Sequence, residues 1–125
     1  MSTEAKANKF NAGGTCGTAT AGNSTNIDIR PSKSMRVRAY SLRFKTGKGS
    51  TMITAFRTAQ DAGDLIIENS PLANFASVEE GTHSQHPCDF ILRSRETARM
   101  RLTAPSGGLT AGDVMLVLHG ELIPE

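Results

Sequence analysis

At 125 residues the chain is one domain's worth of sequence, and a domain of that size can fold without disulfides or metals. Fourteen basic residues face twelve acidic ones, for a net charge of +2, which argues against a nucleic-acid binder, a class marked by a basic patch or a high pI. With 38% apolar residues, 5% aromatics and no Trp, the core is lean, and no apolar run approaches the roughly 20 residues of a membrane span.

Residues 1–25 read MSTEAKANKFNAGGTCGTATAGNST. Beyond Met1, Phe10 is the one large apolar side chain among small and polar ones. Such a segment cannot offset its own ordering entropy. It is expected to be an arm, flexible or ordered on a neighbouring subunit with Phe10 as anchor. The polar stretch Ser2 to Asn11 holds no apolar signal core, so the chain is expected to start in the cytoplasm, with Cys16 and Cys88 reduced.

From Asn26 onward, short alternating runs separated by turn residues predict a β-sandwich domain over 26–125. Asn26–Arg30 is the first strand, stopped by Pro31. Met35, Val37 and Ala39 alternate on one parity, then Tyr40, Leu42 and Phe44 continue on the other. A β-bulge near Ala39–Ser41 would keep one face buried through that flip; the alternative is a strand that crosses between sheets. Thr46–Ser50 is a turn whose Lys and glycines suggest a phosphate loop. Leu42 stands where that motif needs its first glycine, so the pattern fails. Met52, Thr54 and Phe56 are expected on one face, Gln60–Gly63 as a turn, and Asp64–Glu68 as a strand. Residues 69–87 read as a long loop with one helical turn through Leu72, Phe75 and Val78, and such a loop in a small domain is usually functional or fastened to something. Cys88–Ser94, a strand through Ala98, Met100, Leu102 and Ala104, and Val114–Ile123 complete seven or eight strands. Positions 114–118 are apolar on both parities, which suits a central strand or one whose outer face meets a partner.

Chemistry-bearing residues are sparse. His83, His86 and Cys88 fall together, but their spacing matches no common zinc site. Cys88 lies near His86, but no nucleophile elbow appears, and Asp64, Glu68 and Asp89 are placed where surface acids commonly sit. No catalytic, metal or cofactor residue is assigned, and the chain is not expected to be an enzyme. The arginines are more informative. Arg36 with Arg38, Arg99 with Arg101, and Arg93 with Arg95 are i, i+2 pairs, joined by Arg43 and Arg57. On a wet sheet face they serve solubility and protect edges, or they form a protein interface through bidentate carboxylate pairs. Nucleic acid is the weakest reading, because no aromatics interleave with the cations.

The C-terminal half carries a family texture. Pro87-Cys88-Asp89-Phe90 leads into a strand, ARMRLTAPSGG follows, and VMLVLHGELIP places Leu-His-Gly just before the terminus. Over about residues 34–125 this resembles the small β-sandwich virion proteins of tailed phages, among them capsid cement and decoration proteins and related minor head or tail proteins. The resemblance implies a jelly-roll-like sandwich with an extended N-terminal arm, no catalytic residues, and a place in the virion after synthesis in the host cytoplasm. The partners implied are the major capsid protein or other virion proteins, with a homo-oligomer, trimer or dimer, and no membrane. The docking residues expected are Phe10, Arg36, Arg38, Leu72, Phe75, Arg99 and Arg101. A tail, baseplate or spike component and a carbohydrate-binding sandwich are the alternatives. An arm of this kind implies that a chain lacking residues 1–22 still folds.

Overall fold

The computed structural model describes residues 9–59, 63–74, 76–78 and 85–124. Among them are nine strands: β1 (Lys9–Thr15), β2 (Ser24–Ile29), β3 (Met35–Phe44), β4 (Met52–Arg57), β5 (Leu65–Pro71), β6 (Ala76–Val78), β7 (His86–Leu92), β8 (Ala98–Thr103) and β9 (Val114–Leu122). They form an all-β sandwich of two sheets. In the five-stranded sheet β9 lies between β1 and β3, and the far edge of β3 is shared: Met35–Tyr40 pairs with β7, and Leu42–Phe44 with β6. The four-stranded sheet has the order β2-β8-β4-β5. Pairing is antiparallel throughout, except between β3 and β6.

Period-two alternation supplies the core. Met35, Val37, Tyr40, Leu42 and Phe44 of β3 and Val114, Leu116 and Leu118 of β9 are buried together with Ile27 and Ile29 of β2, Ile53 and Phe56 of β4, and Met100 and Leu102 of β8. Each fully buried aliphatic or Phe side chain contributes about 1.5–3 kcal/mol. The rings of Tyr40 and Phe56 meet edge to face, 5.3 Å between centroids at 80°, and tie one sheet to the other.

The parity flip in β3 is a bulge within one sheet. The register against both β7 and β9 shifts between Val37 and Ala39. Arg38 is the extra residue, slightly ahead of the expected position, and Val37 and Tyr40 both turn inward. Gly120 of β9 faces this bulge. A Cβ there would run into the Arg36 carbonyl oxygen, so the glycine of the Leu-His-Gly run is a steric requirement of the bulge. A second bulge corrects the expected face of β4. Its register against β8 shifts between Ile53 and Ala55, so Ile53 joins Phe56 in the core while Met52 is 37% exposed.

The expected arm is also corrected. Residues 9–15 are β1, an outer strand of the five-stranded sheet, paired from Lys9 opposite Glu121 to Thr15 opposite Met115. Phe10 and Ala12 pack against the domain's own core. Residues 16–23 are stitched down by backbone bonds. The Cys16 N–H donates to the Val114 carbonyl (3.0 Å), the Ala19 N–H to Leu109 (3.0 Å), the Gly22 N–H to Ala104 (3.1 Å), and the Ala104 N–H to Asn23 (2.9 Å). Composition pointed the other way because this order rests on main-chain pairing and close approach more than on large side chains. At Gly14 a Cβ would lie 3.1 Å from the Asp28 carbonyl oxygen and 3.2 Å from Ile27, so the glycine lets β1 close against β2. Residues 1–8 lie outside the described residues.

The expected 69–87 loop is mostly ordered structure. β5 extends to Pro71, a 3-10 turn covers Leu72–Asn74, and β6 follows. Leu72 is fully buried, and its N–H donates to the Thr51 carbonyl at 2.8 Å.

Two outcomes test this account. Gly120→Ala should destabilise the domain by about 3 kcal/mol, the upper part of the range for overpacking, read from urea denaturation. Deleting residues 1–22 removes β1 and exposes one side of β9, so the truncated chain should lose its cooperative thermal transition.

Candidate protein-binding surface

The two bulges and the alternation decide which side chains face outward. Arg36 and Arg38 both leave the core on the outer face of the five-stranded sheet, but they turn to opposite neighbours. The Arg36 fork grips Asp89 of β7, with Nε to Oδ1 and Nη2 to Oδ2 both 2.9 Å. Arg38 reaches Glu121 of β9, with Nη2 at 2.9 Å and Nε at 3.2 Å from the same oxygen. On the other sheet Arg99 holds Asp28 of β2 through two bonds of 2.7 and 3.1 Å. The two pairs on the larger sheet are open to water, where ion pairs add little to stability, and the Arg99 side chain is the more covered one. The Arg36 guanidinium holds the Asp89 carboxyl below its ordinary value of 3.8, chiefly by direct hydrogen bonding.

Arg101 is exposed, sits in register between Asn26 and Ala55, and has no ion pair among the described residues. Phe10 and Leu72 belong to the domain's own packing, so neither is presented to a partner as expected. Phe75 lies outside the described residues. Arg93 and Arg95, read as a strand pair, stand in the β7–β8 connection, because β7 ends at Leu92. The structure therefore brings Arg36 and Arg38 together on one outer face and leaves Arg99 and Arg101 on the opposite one.

The outer positions of β9 are Met115, Val117, His119 and Glu121, all half-buried. Met115 and Val117 form an apolar strip beside Gly13 and Thr15 of β1 and Ser41 and Arg43 of β3. At its charged end lies a groove of about 380 Å³ lined by Lys9, Asn11, Arg38, Gln85, His119 and Glu121, among others. A second depression, of about 540 Å³, lies on the other side of Arg36 beside Asp89, Thr58 and Asp64. Ile91 lines it and is 48% exposed.

Sequence reading missed one polar pair. Ser41 Oγ and His119 Nε2 are 2.9 Å apart. They are 78 residues apart in the chain and become neighbours only through the β3–β9 register. Burial pushes the His119 pKa below 6.5, which favours the neutral ring. A serine bonded to a neutral histidine is the first half of a nucleophilic pair. Ser41, however, is only 6% exposed, and among the described residues no carboxylate bonds to His119. The pair's evident work is to tie β3 to β9 on the outer face.

The remaining reactive groups are fastened or masked. Both cysteines are free thiols. Burial, reinforced by Asp89, pushes Cys88 up to about 11, which suppresses its thiolate at neutral pH. Cys16 is buried beside the Thr110 carbonyl. The His86 ring stacks on Tyr40 at 5.2 Å; His83 lies outside the described residues. No group of three metal-ligating side chains occurs among the described residues. Lys48, of the phosphate-loop-like turn, donates to the Gly108 carbonyl at 2.9 Å and lies 3.8 Å from Asp113, so it clamps two loops. Among the described residues no helix is long and apolar enough to cross a membrane.

Comparison with protein-family models, with curated proteins and with solved structures found no match.

The His119 environment sets a pH dependence. Its folded pKa lies below the unfolded value, so near pH 6.5 and below the unfolded chain binds the proton the folded chain resists. Stability should fall as the pH drops through that region, and Asp89 adds a further loss below about pH 4, near its ordinary value of 3.8. Thermal melts from pH 8 to pH 5 should show a smaller decline for His119→Gln than for the parent chain.

Proposed function

We propose that this chain is a virion structural protein of a tailed phage, of the cement or decoration type, which stabilises the capsid through protein–protein contacts with the major capsid protein or other virion proteins. The strand order supports the reading. Leaving aside the short β6, β1-β9-β3-β7 in one sheet faces β2-β8-β4-β5 in the other. We read this as the interleaved double Greek key of a jelly roll, an architecture that viral capsid domains share with lectins.

The observation that carries the proposal is the outer face of the five-stranded sheet. Its apolar strip, Met115 and Val117, ends at the Arg36–Asp89 and Arg38–Glu121 pairs. An apolar centre beside a charged rim is the anatomy of a protein interface. The forks are already ordered, so little side-chain entropy would be lost when they meet a partner. A standard contact of about 800 Å² per partner, repeated over a symmetric shell, would supply the stabilisation. In this role Arg36 and Arg38 remain docking residues, while Phe10 and Leu72 support the fold that presents them. The lectin alternative has less support, because no large aromatic is exposed among the described residues.

The test is immunogold labelling of purified phage particles with an antibody against this chain. Labelled heads are expected. Label confined to tails would move the protein to the tail or baseplate, and unlabelled particles would overturn the virion reading. Val117→Asp should release the protein from heads while a cooperative thermal transition is retained.

A further inference from the structure

The sandwich has two unlike ends. At one, β2 runs into β3 through residues 30–34, and β7 into β8 through residues 93–97. The registers Met35 opposite Leu92 and Ile29 opposite Ala98 set these connections side by side. They are locked together. The Ser94 N–H donates to the Oγ of Ser34 at 3.1 Å, and Ser34 is 1% exposed. Glu96 is bound to Arg93 in both directions, its carboxylate accepting from the Arg93 N–H (3.0 Å) and its own N–H donating to the Arg93 carbonyl (2.9 Å).

On this fixed base stand Arg30, Lys33, Arg93 and Arg95, all exposed. None has an ion pair among the described residues, whereas Arg36, Arg38 and Arg99 each have a carboxylate. Four cations against Glu96 leave +3 on these two connections. The β4–β5 connection at the same end adds Asp64, which borders the depression beside Asp89. The two connections thus form a locally cationic tip.

We propose that this tip is a docking surface for a carboxylate-rich patch on another protein. The proposal goes beyond the virion reading and does not depend on it. Carboxylate is favoured over phosphate by what the tip lacks. The positive-φ glycines that build backbone N–H nests are Gly22, Gly47, Gly108 and Gly112, and all four lie in the connections at the opposite end. The two tip connections also hold no aromatic residue on which a base could stack. What the tip does offer is guanidinium forks, which match carboxylates in bidentate geometry, as Arg36 and Arg99 already show on the sheet faces. In the connections 16–23, 45–51 and 104–113 at the far end the one acid, Asp113, is engaged with Lys48, so these connections offer no free carboxylate to a second copy.

The experiment is fluorescence anisotropy of labelled poly-L-glutamate titrated with the full chain at low and at high salt, with labelled duplex DNA as a parallel probe. Saturable binding to poly-L-glutamate is expected, weakened by salt and by about tenfold in the Arg93→Glu/Arg95→Glu double variant, equivalent to about 1.4 kcal/mol. Lys45→Glu, in an exposed connection at the opposite end, should bind as the parent does. Thermal melts check folding, and Arg30→Gln/Lys33→Gln provides a second variant at the same tip. Tighter binding to duplex DNA than to poly-L-glutamate at equal salt would replace the proposed partner class. Absent binding, or binding indifferent to both tip variants, would overturn the proposal.

Discussion

The β3–β9 pairing is the constraint on which the rest of the molecule depends. It runs from Met35 opposite Leu122 to Phe44 opposite Val114, and it sets the inner and outer faces of the larger sheet together. Its irregular point is the Arg38 bulge, accommodated by Gly120. Without the bulge, a ten-residue strand with one parity change would drive either Met35 and Val37 or Tyr40, Leu42 and Phe44 into water. With it, both sets reach the core, and the inserted arginine is re-aimed toward Glu121 on the outer face. A packing device and a surface feature therefore have the same origin.

β9 also organises the N-terminal segment. Seven residues of low apolarity order along its other edge because they gain a ladder of backbone hydrogen bonds and place Phe10 and Ala12 on the core. The following connection is held by main-chain bonds to residues 104–114. Small side chains serve this end well, since they let backbones approach closely. Of the charged side chains described at this end, Lys48 and Asp113 face each other, and most of the arginines lie in the other half of the sandwich. The polarity of the molecule follows from how its connections divide between the two ends.

In the proposed virion role the two outer faces differ in kind. The larger sheet shows an apolar strip edged with arginine–carboxylate pairs. The smaller one shows Arg99 joined to Asp28, with Arg101 beside them. Pairing arginine with carboxylate across strands keeps such faces soluble and guards against indiscriminate sheet stacking, while leaving ordered forks available to a partner of matching geometry.

The alternation after Asn26 determined the all-β class, the approximate positions of most strands and the parity flip in β3, because side-chain parity is a local property of a strand; that the flip is a bulge and not a crossing between sheets was decided by the register against β7 and β9. The apolar doubling at 114–118 suited either a central strand or an outer face that meets a partner, and the pairing with β1 and β3 gives β9 a central place. The ordering of residues 9–23 was hidden, since its hydrogen-bond partners lie about a hundred residues away. So was the β4 bulge, which turns Ile53 inward in place of Met52 by a register shift against β8. The surface was the least legible part. That Arg36 finds Asp89, that Ser41 finds His119 and that four cations gather on one tip are consequences of which strands lie side by side. Outside β4, periodicity decides which residues turn inward; only the tertiary pairing of distant strands decides where a register shifts and which charges become neighbours.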